Sequence, residues 1–272
     1  MFSVKILLLI LYLVKSTFSI NSLRANSSNS PNIKIIGGAD ATVNQFPYMV
    51  SIQHKDGDQY CGGSIITLRH ILTAGHCLNG KKPGDIEVRV GSITSDEGGT
   101  VVAVKKIILH PEFNVDKNKV LINDIGIIVL EKDLRVSKSV GLMSAALKEP
   151  ADGTKCTISG FGYTVENQED DPNKKLKFVG MDIYNREKCG EQIFLSQKPN
   201  LIICAGGVAG KGTCSQDSGS PLVCPTSNAA RPTMWQAGIV NYGLCGVKDT
   251  PTVFASVAKY TNWIAKQLLV LS

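Results

Sequence analysis

The chain has 272 residues, 43% of them hydrophobic, with 26 glycines and 11 prolines, a composition that excludes a disordered chain and fits a folded globular one. Its formal charge of +6 is concentrated at the start: residues 1–34 carry Lys5, Lys15, Arg24 and Lys34 and no acid, and without these four the 29 bases become 25 against 23 acids. No basic footprint remains to steer a polyanion, so no nucleic-acid partner is expected.

In chain order, Lys5 precedes the apolar run ILLLILYLV (6–14), closed by Lys15 and small or polar residues up to Ser19. This is the pattern of a secretory signal peptide over 1–19, so the mature protein is expected to be secreted and extracellular. A membrane anchor needs about 18 apolar residues, and Lys15 ends the run far short of that; no membrane partner is expected. Residues 20–34, INSLRANSSNSPNIK, are polar and aperiodic, and read as a leader with little structure of its own. Asn26-Ser27-Ser28 within it is the one glycosylation sequon of the chain.

From residue 35 the signal is of short strands: 48–53, 86–91, 100–109, 125–130, 155–162, 175–183, 201–207, 235–243 and 252–257, separated by Gly, Asn, Asp and Pro clusters. Such a series predicts an all-β barrel or sandwich. Near the end, Val257, Tyr260, Trp263, Ile264, Leu268 and Leu271 recur at three- and four-residue steps, which predicts an amphipathic terminal helix. The polar stretches 164–175 and 226–233 read as surface loops.

All eight cysteines, Cys61, Cys77, Cys156, Cys189, Cys204, Cys214, Cys224 and Cys245, follow residue 34. An even count behind a signal peptide implies an oxidised disulfide framework, although eight cysteines allow 105 pairings and the sequence alone does not choose one. No CxxC or HxxxH spacing occurs to suggest zinc, and no metal or cofactor is expected.

Four segments carry the chemistry: KIIGG (34–38), LTAGHC (72–77), NDIGIIVL (123–130) and QDSGSP (216–221). Each is weak alone. Their order, His76 then Asp124 then Ser218, is one of the known chain orders of a serine-histidine-aspartate triad. The α/β-hydrolase order would need the histidine last and glycines two before and two after the serine, where this chain has Gln216 and Ser220.

On these segments residues 35–272 resemble the chymotrypsin family of serine proteases. The resemblance implies two six-stranded antiparallel β-barrels packed around a cleft, approximately 35–145 and 146–272, with a C-terminal α-helix. It also implies the pairs Cys61–Cys77, Cys156–Cys224, Cys189–Cys204 and Cys214–Cys245. Ser218 would be the nucleophile, His76 its general base and then acid, and Asp124 the group that holds the imidazole. The backbone N–H groups of Gln216 and Ser218 would form the oxyanion hole, each donor worth about 3 kcal/mol. Cleavage after Lys34 by a trypsin-like protease would free the amino group of Ile35 to pair with Asp217, so the uncut chain would be a zymogen. A buried carboxylate that lacks its partner costs about 3–5 kcal/mol. A protein or peptide substrate and protein inhibitors are the further partners implied.

The chain departs from the family pattern around that site. Gly75 stands for an alanine, Gln216 and Ser220 for glycines, Asn241-Tyr242-Gly243 for Ser-Trp-Gly, and one glycine is missing before Cys245. At Gln216 a side chain obstructs substrate or disfavours the backbone state that turns the N–H toward the oxyanion. By family position Gly212 is the floor of the specificity pocket, with Gly243 and Thr252 on its walls and Tyr242 along the groove. A glycine floor cannot pair with Lys or Arg, so a non-tryptic, apolar preference is expected. Ser92, where an acid would begin a calcium loop, predicts no calcium site. The departures also resemble those of arthropod non-catalytic protease homologues, which leaves a second reading: a catalytically impaired, secreted binding or decoy protein.

Overall fold

In the computed structural model, residues 37–163, 174–192, 199–226 and 232–270 are described. The signal peptide and leader, Asn26, Lys34, Ile35 and most of the two polar loops lie outside them.

A two-residue strand, β1 (Ala39–Asp40), comes first. Six strands then close a barrel: β2 (Met49–His54), β3 (Gln59–Ile65), β4 (His70–Thr73), β5 (Ile86–Val90), β6 (Thr100–Leu109) and β9 (Gly126–Leu130), in the ring order β2-β3-β4-β9-β6-β5. Between β6 and β9 a small hairpin, β7 (Asn114–Val115) and β8 (Leu121–Ile122), stands outside the ring. A second set, β10 (Lys155–Gly160), β11 (Lys177–Tyr184), β12 (Ile202–Gly206), β13 (Pro221–Pro225), β14 (Met234–Tyr242) and β15 (Pro251–Ser256), pairs in the order β11-β10-β13-β14-β15-β12, and the β11–β12 pairing closes it. All these pairings are antiparallel. Among the described residues there are also three α-helices: α1 (Gly75–Leu78), a single turn, α2 (Arg186–Gln192) and α3 (Thr261–Val270).

Side-chain alternation explains how each ring buries its interior. In β5, Ile86, Val88 and Val90 are buried while Glu87 and Arg89 are not, as a strand with one wet face requires. β9, GIIVL, is buried at all five positions because its outer face is covered as well. The first barrel's core holds Val50, Ile52, Ile65, Leu72, Val88 and Ile127, and the second's holds Ile158, Val179, Met181, Ile203, Leu222 and Phe254.

Segments near both ends of the described chain cross between the barrels. β1 pairs with β11 of the second barrel, Ala39 opposite Phe178 and Asp40 opposite Lys177. The Lys177 side chain is fully buried and its ammonium is paired with the Asp40 carboxylate, as a buried charge must be. At the other end, Tyr260 and Ile264, each 4% exposed, join the first barrel's core, with Trp263 and Leu268 packed against it. Burying one such side chain is worth about 1.5–3 kcal/mol, which fixes α3 across the first barrel. Between the barrels Ser64 Oγ donates to Gln236 Oε1 at 2.6 Å, both groups buried, and Gln236 Nε2 donates on to the Gly238 carbonyl.

Four disulfides join Cys61 to Cys77, Cys156 to Cys224, Cys189 to Cys204 and Cys214 to Cys245, the four pairs implied by the family pattern.

Candidate active site

The histidine is set by the end of a buried strand. β4 leads through Ala74 into the single turn α1, and the Cys61–Cys77 disulfide ties that turn to β3. Gly75 is a requirement of this site, because a Cβ there would lie 2.9 Å from the Phe113 ring and 3.1 Å from both the Ile125 nitrogen and Leu109 Cδ1. Alanine does not fit unless Phe113 moves.

Asp124 is placed by its neighbour. Asn123 has φ +48°, in the left-handed region that asparagine tolerates better than most residues. Its side chain is held at both ends: Nδ2 donates to the Glu112 carbonyl at 2.9 Å and Oδ1 accepts from the Tyr260 hydroxyl at 3.4 Å. Burial, with Asp124 and Glu112 nearby, keeps the Tyr260 phenol well above its ordinary pKa, so it stays a donor. The Asp124 carboxylate, 0% exposed, then meets His76 twice. Oδ1 accepts from the His76 backbone N–H at 2.7 Å and Oδ2 lies 2.8 Å from Nδ1. Asn241 makes no hydrogen bond to Asp124; among the described residues both donors to that carboxylate come from His76.

Ser218 sits in a turn pinned from several sides. The Cys214–Cys245 and Cys156–Cys224 disulfides bracket it. The Ser218 carbonyl accepts from Gly62 N–H at 2.8 Å, Gly219 N–H donates to the Val240 carbonyl at 2.9 Å, and Ser220 N–H donates to the Asp217 carbonyl at 3.0 Å. The Ser218 hydroxyl makes no hydrogen bond to His76, whose Nε2 faces the Cys77 sulfur at 3.8 Å. Such contacts often tighten only with substrate bound. His76, Cys61 and Cys77 are also the one group of three metal-type side chains among the described residues; both sulfurs are in a disulfide and offer no thiolate.

Asp217 points inward and is fully buried. It accepts from Gly162 N–H at 2.8 Å and from Cys214 N–H at 3.0 Å. A Cβ on Gly162 or Gly160 would lie 2.3 or 2.2 Å from its carboxylate, so only glycines let the backbone come this close. No cation pairs with it among the described residues. Burial raises its pKa to about 7, against the lowering effect of the two N–H donors.

Gln216 adopts φ +71°, the left-handed backbone a glycine would take freely, at a cost of about 1–2 kcal/mol for a residue with a Cβ. Its side chain turns to Tyr163, with Nε2 donating to the phenol oxygen at 2.9 Å, and its carbonyl accepts from Gln59 Nε2 at 3.0 Å. The N–H groups of Gln216 and Ser218 donate to no acceptor among the described residues. Tyr163 and Gln59 were not among the residues the sequence singled out, and no motif marks them.

Of the residues expected at the specificity pocket, Gly212, Gly243 and Thr252 come together with Thr213 in close packing, so the chamber they would enclose is narrow. A Cβ on Gly212 would be 3.0 Å from the Gly246 nitrogen, and one on Gly243 would be 2.2 Å from Thr213 Oγ1 and 3.3 Å from Thr252 Oγ1. The two threonine hydroxyls are 3.1 Å apart and hydrogen-bonded. Tyr242, 51% exposed, bounds a different space. This is a cavity of about 320 Å³ beside Asp124, lined in part by Val120, Leu121, Leu201 and Val253.

A family model described as Trypsin matches residues 35–264. Trypsin beta of Drosophila erecta is 33% identical over 234 residues, covering 85% of this chain and 87% of its own length. Trypsin alpha-4 of Lucilia cuprina is 33% identical over 234 residues, covering 85% and 86%. A solved structure, described as neuropsin, a serine protease expressed in the limbic system of mouse brain, aligns with a TM-score of 0.74 at 29% identity, over 85% of this chain and 98% of that one.

Proposed function

The chain belongs to the trypsin family of serine proteases, and from that premise we propose that it is a secreted endopeptidase, made as a zymogen and activated by cleavage after Lys34, with a preference for a small apolar side chain on the acyl side of the scissile bond. The observation that carries the reading is the His76–Asp124 couple, bonded at 2.7 and 2.8 Å to a carboxylate with no exposed surface. With Asp124 accepting from Nδ1, the imidazole presents Nε2 as the base. Ser218 would attack the peptide carbonyl as His76 takes its proton, and His76 would then protonate the departing amine. The tetrahedral oxyanion would accept from the free N–H groups of Gln216 and Ser218.

The chamber argues for the specificity. Gly212, Gly243, Thr213 and Thr252 would line it and none carries a charge, so a Lys or Arg ammonium would be desolvated without a partner. The close approach of Gly243 to Thr213 restricts it to small side chains. The same approach favours a second reading, a catalytically impaired homologue that binds a partner without turning it over.

One experiment tests the first reading against the second. The recombinant chain is cut after Lys34, the free Ile35 amino group is confirmed, and the product meets a fluorophosphonate probe and a peptide library, with Ser218→Ala as control. Labelling of Ser218 with turnover of peptides carrying alanine or valine before the cut bond supports the protease reading. Absence of labelling, with Ile35 free, overturns it.

A further inference from the structure

We propose that Gln59 and Tyr163 are positioning residues that hold residue 216 in its left-handed conformation and so aim the oxyanion donor. The inference rests on the protease reading above for its kinetic part only. Its starting point is the pair of peptide planes that flank Gln216. The Ser215 carbonyl accepts from Tyr163 N–H at 2.9 Å. That carbonyl shares a trans, planar peptide with the Gln216 N–H, so holding the oxygen on the Tyr163 side points the N–H the opposite way. The next plane carries the Gln216 carbonyl, which Gln59 Nε2 holds at 3.0 Å from a buried position on β3.

The relative orientation of those two held planes is set by φ and ψ of Gln216 together, and its φ stands at +71°. A glycine would occupy that state without assistance. Glutamine does so because both planes are anchored and because its own side chain is drawn off to Tyr163, where Nε2 donates at 2.9 Å to the hydroxyl. Tyr163 therefore acts twice, through its backbone N–H and through its phenol. Without these bonds the 215–216 peptide would relax toward negative φ and turn the N–H away from the site where charge develops.

The test is a cycle with Gln216→Gly, which removes the need for the clamp but keeps the N–H. Tyr163→Phe deletes the phenol acceptor, and Gln59→Met deletes the carbonyl's donor at nearly constant volume. In the cleaved enzyme each is expected to lower kcat about ten-fold with KM changed less than two-fold, a fraction of the 10²–10³ lost when an oxyanion donor is removed outright. In the Gln216→Gly background each loss should shrink below two-fold. Losses that persist at full size in that background overturn the proposal. A crystal structure of the Tyr163→Phe, Gln59→Met double variant gives a readout that needs no activity: residue 216 should leave the positive-φ region, and an unchanged φ overturns the proposal. Wild-type enzyme that fails to label or turn over would defeat the protease reading, while the backbone at 216 would still decide this inference. Should Gln59→Met fail to fold, Tyr163→Phe alone carries both readouts.

Discussion

Asp217 gives the uncut chain a pH-dependent weakness that can be measured. In the full chain Ile35 is joined to Lys34 by a peptide bond and offers no ammonium. The Asp217 carboxylate lies at zero exposure with two N–H donors, from Gly162 and Cys214, and no cation among the described residues. Its pKa is about 7, raised by burial from 3.8. The folded state thus binds this proton more tightly than the unfolded state. The stability it contributes is fully present below pH 3.8 and is lost as the pH rises through 7. The whole span is about 4 kcal/mol at 1.36 kcal/mol per unit. The perturbation is Asp217→Asn in a chain made uncleavable by Lys34→Gln, compared with Lys34→Gln alone. Urea unfolding of both, at about pH 4.5 and pH 8, gives the difference in stability, which should fall by about 3 kcal/mol over that interval. His70 and His110, whose pKa values burial lowers, slope the other way: their stability is present above 6.5 and lost as pH falls. Both occur in both chains and cancel in the difference. Parallel pH profiles for the two chains would refute the reasoning. Cleavage after Lys34 should remove the neutral-pH penalty, because the new ammonium would pair with the carboxylate.

Ser220→Ala should stabilise the protein, since the Ser220 hydroxyl is fully buried and has no hydrogen-bond partner among the described residues. Removing an unsatisfied group of this kind is worth about 1 kcal/mol, or a rise of about 2–4 °C in Tm by calorimetry; a fall would show that the hydroxyl has a partner. Gly75→Ala should lower Tm by a similar amount as Phe113 is displaced, and an unchanged Tm would mean the ring moves freely. Asp124→Asn should lower kcat of the cleaved enzyme by about 10⁴, because an amide can hold the imidazole in the wrong tautomer; a loss of under ten-fold would place the base elsewhere. Thr213→Ala should widen the chamber and raise kcat/KM for leucine or phenylalanine before the scissile bond by about ten-fold, measured in paired peptides, with equal changes for alanine substrates arguing against a steric limit.

Much of the fold could be read from alternation. The nine expected strands correspond to β2, β5, β6, β9, β10, β11, β12, β14 and β15, and the terminal periodicity to α3, which follows a 3-10 turn over Val257–Tyr260. Besides the two-residue strands β1, β7 and β8, three barrel strands escaped and have physical reasons to do so. β3, QYCGGSI, carries two glycines in its middle, β4 has four residues, and β13 begins and ends with proline. What the sequence could not give was the partner of each unusual residue. Nothing in the spacing of Gln59, Tyr163 and Gln216 announces that they meet, since they are brought together by two different barrels and the turn between disulfides. Asn123 stood in a quoted motif beside Asp124, yet its role depends on Glu112 and Tyr260, reached only through the fold.

The departures from the family pattern divide by whether the surrounding structure compensates them, and that division locates what limits the site. Gly75 is matched by Phe113, which fills the volume an alanine methyl would need. Gln216 is matched by Tyr163 and Gln59, which hold the backbone state a glycine would reach alone. The His76–Asp124 pair and the N–H groups of Gln216 and Ser218, the proposed acid–base couple and oxyanion donors, therefore stand in a consistent environment. Ser220 and the shortened segment from Gly243 to Cys245 are different: the serine's hydroxyl has no partner among the described residues, and Gly243 lies so close to Thr213 that a Cβ on it would be 2.2 Å from Thr213 Oγ1. Ser220 faces the Asp217 side of the turn, because a Cβ on Gly160 would meet Ser220 Oγ at 3.1 Å as well as the Asp217 carboxylate. Both uncompensated features thus border the parts that would reorganise on cleavage, the Asp217 site and the chamber floor, and neither borders the His76–Asp124 contact. If the chamber is the limit, small substrates and the fluorophosphonate probe should react with Ser218 at comparable rates after cleavage, while bulky substrates lag until Thr213 is shortened.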